Sequence, residues 1–177
     1  LESANNSIMN KIASFSQDKK ISGIIVQLPL PKKFNSQKII SSIDPVKDVD
    51  GFHPKNTRLL IKGKEIFWPV FPHAIWRMIE HSGEKIKGKQ AVIVANSKKF
   101  GEIMGAVLKK NKVASSYILC KDYKKFQKKI KNADILISAC GRPGMIRGEI
   151  VKKGAMIIDG GITKKGDKVL GDVDFES

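Results

Sequence analysis

The sequence predicts an α/β protein whose second half contains a parallel sheet. From residue 90 onward, short apolar runs rich in β-branched residues alternate with segments of helical periodicity. This alternation is typical of a parallel sheet whose strands are joined by crossover helices. The 177 residues, 41% of them hydrophobic and 28% charged, suit one ordinary domain or two small ones and argue against disorder.

The elements predicted in the first half are few and widely spaced. Apolar residues at helical spacing predict a helix over 7–15, and the β-branched run at 21–27 predicts a buried strand that the following prolines end. A helix is predicted at 34–43, a loop at 44–52, and a helix at 72–81 with Gly83 just past its end.

The second half contains the predicted sheet. Strands are expected at 90–95, 114–119, 134–139 and 155–159, with helices at 101–110 and 123–131. Gly166 is expected to turn a hairpin whose return strand is 168–170. We place a domain boundary near residues 82–88, which divides the chain into 1–84 and 85–177 with the helix at 72–81 as a bridge.

The charge is strongly positive, because 33 Lys+Arg stand against 17 Asp+Glu for a net charge of +16. Such a balance raises the hypothesis of nucleic-acid binding. However, the lysines are scattered and no aromatic residues interleave with them, so solvated helix faces are the simpler interpretation and nucleic acid is the weaker hypothesis. A basic field would still attract a small polyanion such as a phosphorylated cofactor.

Cysteine content and hydropathy limit the cellular setting. Cys120 and Cys140 are too few for a disulfide scaffold and suggest a reducing compartment. No apolar run approaches the ~20 residues of a membrane helix, and no Cys/His spacing predicts a metal site. The chain begins at Leu1 without a starting Met or a signal pattern, so we expect it to be a piece of a longer protein.

The turn after the first strand of the second half is a candidate nucleotide loop. Ala95, Asn96 and Ser97 link a strand to a helix, where a dinucleotide fold binds pyrophosphate on helix N–H groups. Of the usual glycine fingerprint only Gly101 remains, so an ordinary strand-to-helix turn is the alternative.

The end of the next strand bears on the choice of cofactor. Lys121 would suit the 2′-phosphate of NADP, whereas Asp122 would suit the free 2′-hydroxyl of NAD. The residues alone leave both cofactors open.

Two polar segments of the first half have candidate chemical roles. Gln27 ends the predicted buried strand, and Asp48 and Asp50 lie in the loop that follows the next helix. The alternatives are that Gln27 caps a strand end and that the aspartates are loop-forming residues, the interpretation that we prefer for Asp48.

These segments and several others carry a family resemblance that extends over residues 7–175. The sequence stretches are VQLPLP at 26–31, KDVDGF at 47–52, FWP at 67–69, CGRP at 140–143, GAMIIDGGI at 154–162 and GDVDF at 171–175. With these in one order, the chain resembles the methylenetetrahydrofolate dehydrogenase/cyclohydrolase family.

The resemblance implies a Rossmann-like NAD(P)-binding domain and the remnant of an α/β catalytic domain, with folate in a cleft between them. Such an enzyme oxidises 5,10-methylenetetrahydrofolate with NADP (NAD is the alternative), then hydrolyses the methenyl product to 10-formyltetrahydrofolate. It would be a cytosolic homodimer of one-carbon metabolism that supplies purine biosynthesis. Asp50 would bind the pterin N–H groups and Gln27 would hold a catalytic lysine. The cofactor would lie on the loop 95–97 and near Ile162.

The chain departs from the family pattern in its catalytic pair. The family's Tyr-x-x-x-Lys should precede residue 1, and the C-terminal Pro-Gly-Gly loop should follow Ser177. Tyr117 and Lys121 have the spacing but lie on a predicted strand, where they would be ~13 Å apart at ~3.3 Å per residue. We therefore expect a chain truncated at both ends that lacks its general base and is inactive by itself.

Other departures affect the cofactor site. Asn96 stands where the family has an arginine near the phosphates, and Phe71 stands where a small hydroxyl residue is usual. These changes support an alternative function, a degenerate relative that binds folate or nucleotide without catalysis.

Overall fold

The computed structural model describes residues 2–65 and 67–177, so Leu1, the start of the expected truncated end, lies outside the described residues. Contacts divide the chain into two units, Leu1–Val70 and Phe71–Ser177. The helices are α1 (Glu2–Gln17), α2 (Ser36–Ile40), α3 (Pro54–Ile61), α4 (Val70–His81), α5 (Lys98–Lys110) and α6 (Gln127–Lys131). The strands are β1 (Gln90–Ala95), β2 (Ala114–Leu119), β3 (Ile135–Ala139), β4 (Met156–Asp159), β5 (Thr163–Lys165) and β6 (Lys168–Leu170).

A parallel four-stranded sheet in the order β2-β1-β3-β4 organises the second unit and confirms the predicted α/β class. All residues of β3, and all but the first of β1, are buried, as expected for strands covered on both faces. In the sheet, β2 lies on one side of β1 and β3 lies on the other. The connection from β1 to β2 and the connection from β2 to β3 therefore cross the sheet in opposite directions. Right-handed crossovers therefore place α5 and α6 on opposite faces. β5 and β6 form the predicted hairpin, separate from this sheet.

One face of the sheet shares a core with α6. The buried members of this core are Val92, Val94, Ile118, Cys120, Ile130, Ala133, Leu136, Cys140 and Ile146. Burying such side chains stabilises the unit by about 25 cal/mol per Å² of apolar surface removed from water. The core therefore fixes the strands whose carboxyl ends carry the candidate nucleotide loop.

A disulfide joins Cys120, just after β2, to Cys140, just after β3, across 20 positions of sequence. The sequence interpretation had placed both cysteines in a reducing compartment, and the structure instead pairs them. Their pairing follows from topology, because β2 and β3 flank β1 and run in the same direction. The crosslink therefore ties two strand ends on either side of the β1–α5 turn.

The first unit has a smaller core beneath α1. Its buried members are Ile12, Ile24, Ile39 and Ile43. The predicted buried strand at 21–27 is wrong as a regular strand: among the described residues its pairing is a single parallel bridge between Ile24 and Asp48. Ile25 is 60% exposed. Ile24 thus packs on the core, whereas the neighbouring side chain of Ile25 faces solvent.

Helix α3 was not predicted, because its start lacks the usual Ser, Thr, Asp or Asn signal. His53 is the N-cap instead, and its Nδ1 accepts a hydrogen bond from the backbone N–H of Lys55 at 3.0 Å. Pro54 occupies the first helical turn, where its missing N–H costs nothing.

Several predicted bounds also differ from the structure. The helix expected at 34–43 is reduced to α2, and the helix expected at 123–131 is a 3-10 turn, Tyr123–Phe126, followed by α6. The contacts divide the chain after Val70, the first residue of α4, so the rest of this helix groups with the sheet unit. The division of the protein into domains at residues 82–88 stays a prediction. In the part of the chain that the structure describes, no helix is long and apolar enough to cross a membrane.

Candidate functional site

The β1–α5 turn lies at the carboxyl edge of the sheet. Ala95 is fully buried, and its carbonyl accepts a hydrogen bond from the Cys120 N–H at 2.9 Å. The N–H of Asn96 donates to the Ala139 carbonyl at 3.0 Å. Ser97 caps α5, because its Oγ accepts from the Phe100 N–H at 3.2 Å. Asn96 and Ser97 are thereby fixed to both neighbouring strands with their side chains exposed.

Gly101 brings α5 close to the sheet. A Cβ at this position would lie 2.6 Å from Cγ of Tyr117 on β2, closer than real contacts allow. This is the role of the last glycine of a dinucleotide fingerprint, which permits close packing of helix and strand. The same contact places Tyr117 on a strand beneath α5, which supports the rejection of Tyr117 and Lys121 as the family's helical pair.

Two cationic residues are associated with the end of β2. Lys121 directly follows Cys120 and is exposed. Arg142, in the turn after β3, donates from Nη1 to the Cys120 carbonyl at 3.3 Å. Asp122, the rival candidate for the ribose, forms an ion pair with Lys125 at 3.3 Å.

A buried carboxylate holds the turn after β3. Asp172 is 0% exposed and accepts three hydrogen bonds through its two oxygens. The donors are the Ser138 hydroxyl at 2.7 Å and the backbone N–H groups of Cys140 and Arg142, both at 2.6 Å. Gly141, between these two residues, has a φ of 65°, a conformation that favours glycine. Asp172 therefore sets the backbone from which Arg142 projects.

A second carboxylate positions Asp172 itself. The Asp159 oxygens accept from the backbone N–H groups of Gly161, Asp172 and Val173 at 2.9, 3.0 and 2.9 Å. The Gly-Asp-Val sequence at 171–173 is thus folded back on the end of β4. Neither aspartate was predicted as a site residue, although both lie in motifs that carry the family resemblance.

Ile162 lies beside the turn after β3. Its carbonyl oxygen is 4.0 Å from the position that a Cβ on Gly141 would take, and its side chain is 74% exposed. An apolar side chain this exposed at the carboxyl edge of the sheet is available to a planar ligand.

Phe71 has a packing role in the second unit. Its ring centroid lies 5.4 Å from that of Phe100 on α5. A Cβ on Gly160 would lie 2.7 Å from Cζ of Phe71, so this glycine makes room for the ring. The bulky residue at position 71 therefore packs against the end of β4 and the start of α5.

The predicted folate residues belong to the first unit. The chain segments through Ile24 and Asp48 run parallel, and the Ile24 N–H donates to the Lys47 carbonyl at 2.7 Å. Gln27 and Asp50 follow this bridge by three and two positions, so both lie beyond its same end. The Gln27 side chain is exposed and donates from Nε2 to the Leu28 carbonyl at 3.1 Å.

Asp48 and Asp50 have different environments. Asp48 is 1% exposed and accepts from the His53 N–H at 2.8 Å and from Nδ2 of Asn56 at 2.9 Å. Burial raises the pKa of Asp50 above its ordinary value of 3.8, and the nearby charge of Asp48 raises it further. The structural interpretation of Asp48 agrees with these contacts, whereas the Asp50 carboxyl remains available to a ligand with paired N–H donors.

The site residues of each unit are thus brought to one edge. Residues 95–97, Lys121 and Ile162 lie at the carboxyl end of the parallel sheet. Gln27 and Asp50 lie beyond one end of the Ile24–Asp48 bridge. Sequence reasoning had quoted Arg142 only as part of a motif, because its approach to the end of β2 depends on how the sheet is assembled.

Comparisons with known proteins identify the family of both parts of the chain. The family model described as tetrahydrofolate dehydrogenase/cyclohydrolase, NAD(P)-binding domain, matches residues 69–177. The model for the catalytic domain of the same family matches residues 2–50. Bifunctional protein FolD of Methanococcoides burtonii is 43% identical over 96% of this chain and 59% of its own length. FolD of Methanosarcina mazei is 41% identical, with 99% and 61% covered.

Solved structures give the same result. The FolD methylenetetrahydrofolate dehydrogenase/cyclohydrolase of Campylobacter jejuni superposes with a TM-score of 0.91 at 34% identity, covering 97% of this chain and 61% of that one. The Trypanosoma brucei enzyme, solved with NADP cofactor and inhibitor, has a TM-score of 0.88 at 26% identity and the same coverage. The chain thus spans about three fifths of these relatives' length and belongs to the tetrahydrofolate dehydrogenase/cyclohydrolase family.

Proposed function

We propose that the chain is the folate- and NADP-binding part of a methylenetetrahydrofolate dehydrogenase/cyclohydrolase. The complete enzyme would oxidise 5,10-methylenetetrahydrofolate and hydrolyse the methenyl product to 10-formyltetrahydrofolate. The observation that carries the proposal is the exposed Asn96–Ser97 turn, held at the carboxyl end of a buried parallel strand in a chain of this family. In open α/β sheets, ligands bind outside the carboxyl ends of the strands.

The residues at this edge fit a dinucleotide. Ser97 fixes the first turn of α5, whose positive end favours the pyrophosphate. Gly101 provides the close helix–strand packing that such folds need, and Ile162 offers apolar surface. When bound, the nicotinamide cofactor accepts a hydride from the substrate. The chain's own contribution is to hold and orient it.

The folate would be held by residues after the Ile24–Asp48 bridge. The carboxylate of Asp50 accepts hydrogen bonds from the pterin N–H groups, and its partial burial strengthens such charge-assisted contacts. Gln27 would orient a lysine that handles protons, as the family resemblance implies. Among the residues that the structure describes, the Tyr-x-x-x-Lys spacing at 117–121 begins on β2 and not on a helix. We therefore expect this chain to bind ligands without turning them over.

A second candidate function is a non-catalytic relative that keeps the fold. The observation in its favour is Asn96, which stands where the family has an arginine near the phosphates. Titration calorimetry with NADP⁺ separates the two functions. Micromolar binding supports the dehydrogenase, whereas no detectable heat at millimolar NADP⁺ supports the degenerate relative.

An activity assay completes the test. Two purified proteins are assayed, the 177-residue chain and the product of the full coding sequence. Each is mixed with methylenetetrahydrofolate and NADP⁺, and the absorbance of NADPH is followed. We expect NADPH formation only from the full sequence, and an Asp50→Ala change in it should abolish turnover. Normal turnover by that variant would contradict the assignment of Asp50.

The setting proposed for the complete enzyme follows from the family. We propose a cytoplasmic homodimer that supplies one-carbon units, including those for purine biosynthesis. Sedimentation and fractionation of the full-length protein test the dimer and the location.

A further inference from the structure

We propose that Arg142, together with Lys121, binds the 2′-phosphate of NADP and makes this chain selective for NADP over NAD. The inference rests on the proposed function, because it names the residues that would recognise one phosphate of the proposed cofactor. It also identifies a guanidinium for a cofactor site whose β1–α5 turn has Asn96 in place of the family's arginine.

The first argument is position. The ribose of a bound dinucleotide lies at the end of the second strand, here β2. Nη1 of Arg142 is 3.3 Å from the Cys120 carbonyl, which belongs to the peptide that leads into Lys121. The loop after β3 thus brings the Arg142 guanidinium to the end of β2, at the carbonyl that directly precedes Lys121.

The second argument is that Arg142 is held in place. Its backbone N–H donates to the buried carboxylate of Asp172 at 2.6 Å, and that carboxylate also holds the Cys140 N–H. The Cys120–Cys140 disulfide joins the residue whose carbonyl accepts from the guanidinium to the loop that carries Arg142. A preorganised cation binds phosphate with less loss of conformational entropy than a free surface side chain.

The third argument is chemical. A guanidinium has five N–H donors, and one hydrogen bond to a carbonyl leaves its fork able to bind phosphate oxygens. The acidic rival, Asp122, forms an ion pair with Lys125. The net charge of the side chains at the end of β2 is therefore positive, which favours a 2′-phosphate over a 2′-hydroxyl.

The test is titration calorimetry on the 177-residue chain with four probes: NADP⁺, NAD⁺, 2′,5′-ADP and 5′-AMP. NADP⁺ differs from NAD⁺ by the 2′-phosphate, and 2′,5′-ADP differs from 5′-AMP by the same group. We expect the wild type to prefer NADP⁺ and 2′,5′-ADP. Arg142→Gln should weaken these two by about tenfold and leave the other two within about twofold, the effect of losing charge-assisted hydrogen bonds to one phosphate. Arg142→Lys should be intermediate, because it keeps the charge without the fork.

Arg147→Gln is the matched control, because it removes the same charge from a residue that pairs with Glu149 and Asp174. It should leave the NADP⁺/NAD⁺ affinity ratio unchanged. If Arg142→Gln leaves the ratio of a binding wild type unchanged, or weakens all four probes equally, the inference is wrong while the proposed function stands. If the wild type binds none of the four, the proposed function itself fails.

Discussion

Each unit contains one buried aspartate that organises a loop beside exposed candidate residues, but the two are anchored differently. Asp172 is hydrogen-bonded to the ends of β3 and β4 and is part of a parallel sheet. Asp48 holds the start of α3 and lies on a single β-bridge. The sheet unit therefore fixes its candidate ligands through regular structure, whereas the first unit depends on a few loop contacts.

Burial and hydrogen bonding separate the structural carboxylates from the candidate functional one. Asp48 and Asp172 are almost fully buried, and the carboxylate of each accepts at least two hydrogen bonds, as structural aspartates should. Asp50, two positions after Asp48, is in a setting that raises its pKa and disfavours its charged form. A carboxylate whose setting disfavours its charged form is a candidate for ligand binding. The predictions below test this contrast, from the largest expected effect to the smallest.

Asp172→Ala should have the largest effect on stability. It leaves the Ser138 hydroxyl and two backbone N–H groups buried without their acceptor. The expected loss is about 3–5 kcal/mol in the free energy of unfolding, measured by urea denaturation. Asp174→Ala removes a partly exposed ion pair with Arg147 and serves as the control. Equal losses in the two variants would show that the buried network contributes little.

Asp48→Ala should destabilise less, because two donors lose their acceptor and one of them, Nδ2 of Asn56, keeps a second partner in the Pro45 carbonyl at 2.8 Å. We expect a loss of about 2 kcal/mol, measured in the same way. A loss as large as that of Asp172→Ala would mean that the first unit is anchored as firmly as the sheet unit.

Asp50→Asn should separate function from stability. Because the pKa of Asp50 is raised in the folded protein, its ionised form destabilises the fold above the ordinary pKa, and a neutral amide removes that cost. We expect Tm at neutral pH to be unchanged or slightly higher and tetrahydrofolate binding to be lost, as measured by calorimetry. A lowered Tm with binding retained would assign Asp50 a structural role.

Asp134→Asn should have the smallest effect, and that effect should depend on pH. The hydrogen bond from Lys152, followed by that from the Gln90 N–H, lowers the pKa of Asp134 below 3.8. The folded state thus favours the ionised form, so the stabilisation is present above the ordinary pKa and is lost as pH falls through the lowered value. The Tm difference between wild type and variant should narrow progressively as the pH falls below about 4. A difference that persists at lower pH would exclude this titration as its source.

The accuracy with which the sequence predicted the strands and helices also differs between the two units. The bounds of β1 and β2 were predicted to the residue. For β1 the signal is a continuous apolar run of strand length, which is typical of a buried parallel strand. β2 has a weaker signal, because three of its residues are Ser, Ser and Tyr and most of the strand is not buried. The segment through Ile24 had a run similar to that of β1, yet the structure pairs it at one position, since local pattern does not encode whether neighbouring strands surround it. Helix α3 was missed because a histidine caps it.

The site residues also differ in whether the sequence could identify them. The loop 95–97 was identified because its signal is local, a strand followed at once by a helix. Arg142 and Asp172 are 30 positions apart in sequence, and Arg142 and Cys120 are 22 apart. Their association depends on strand order and could not be predicted from either segment alone. The roles of Gln27 and Asp50 came from the family resemblance and stay predictions.

The Cys120–Cys140 disulfide has one further consequence for the crossover that it encloses. The segment between the two cysteines includes the 3-10 turn, α6 and β3. A protease that cleaves one bond in its lysine-rich stretch would leave two polypeptides held by a covalent link. Such nicked protein would migrate as one band on a denaturing gel and separate into two only after a thiol is added.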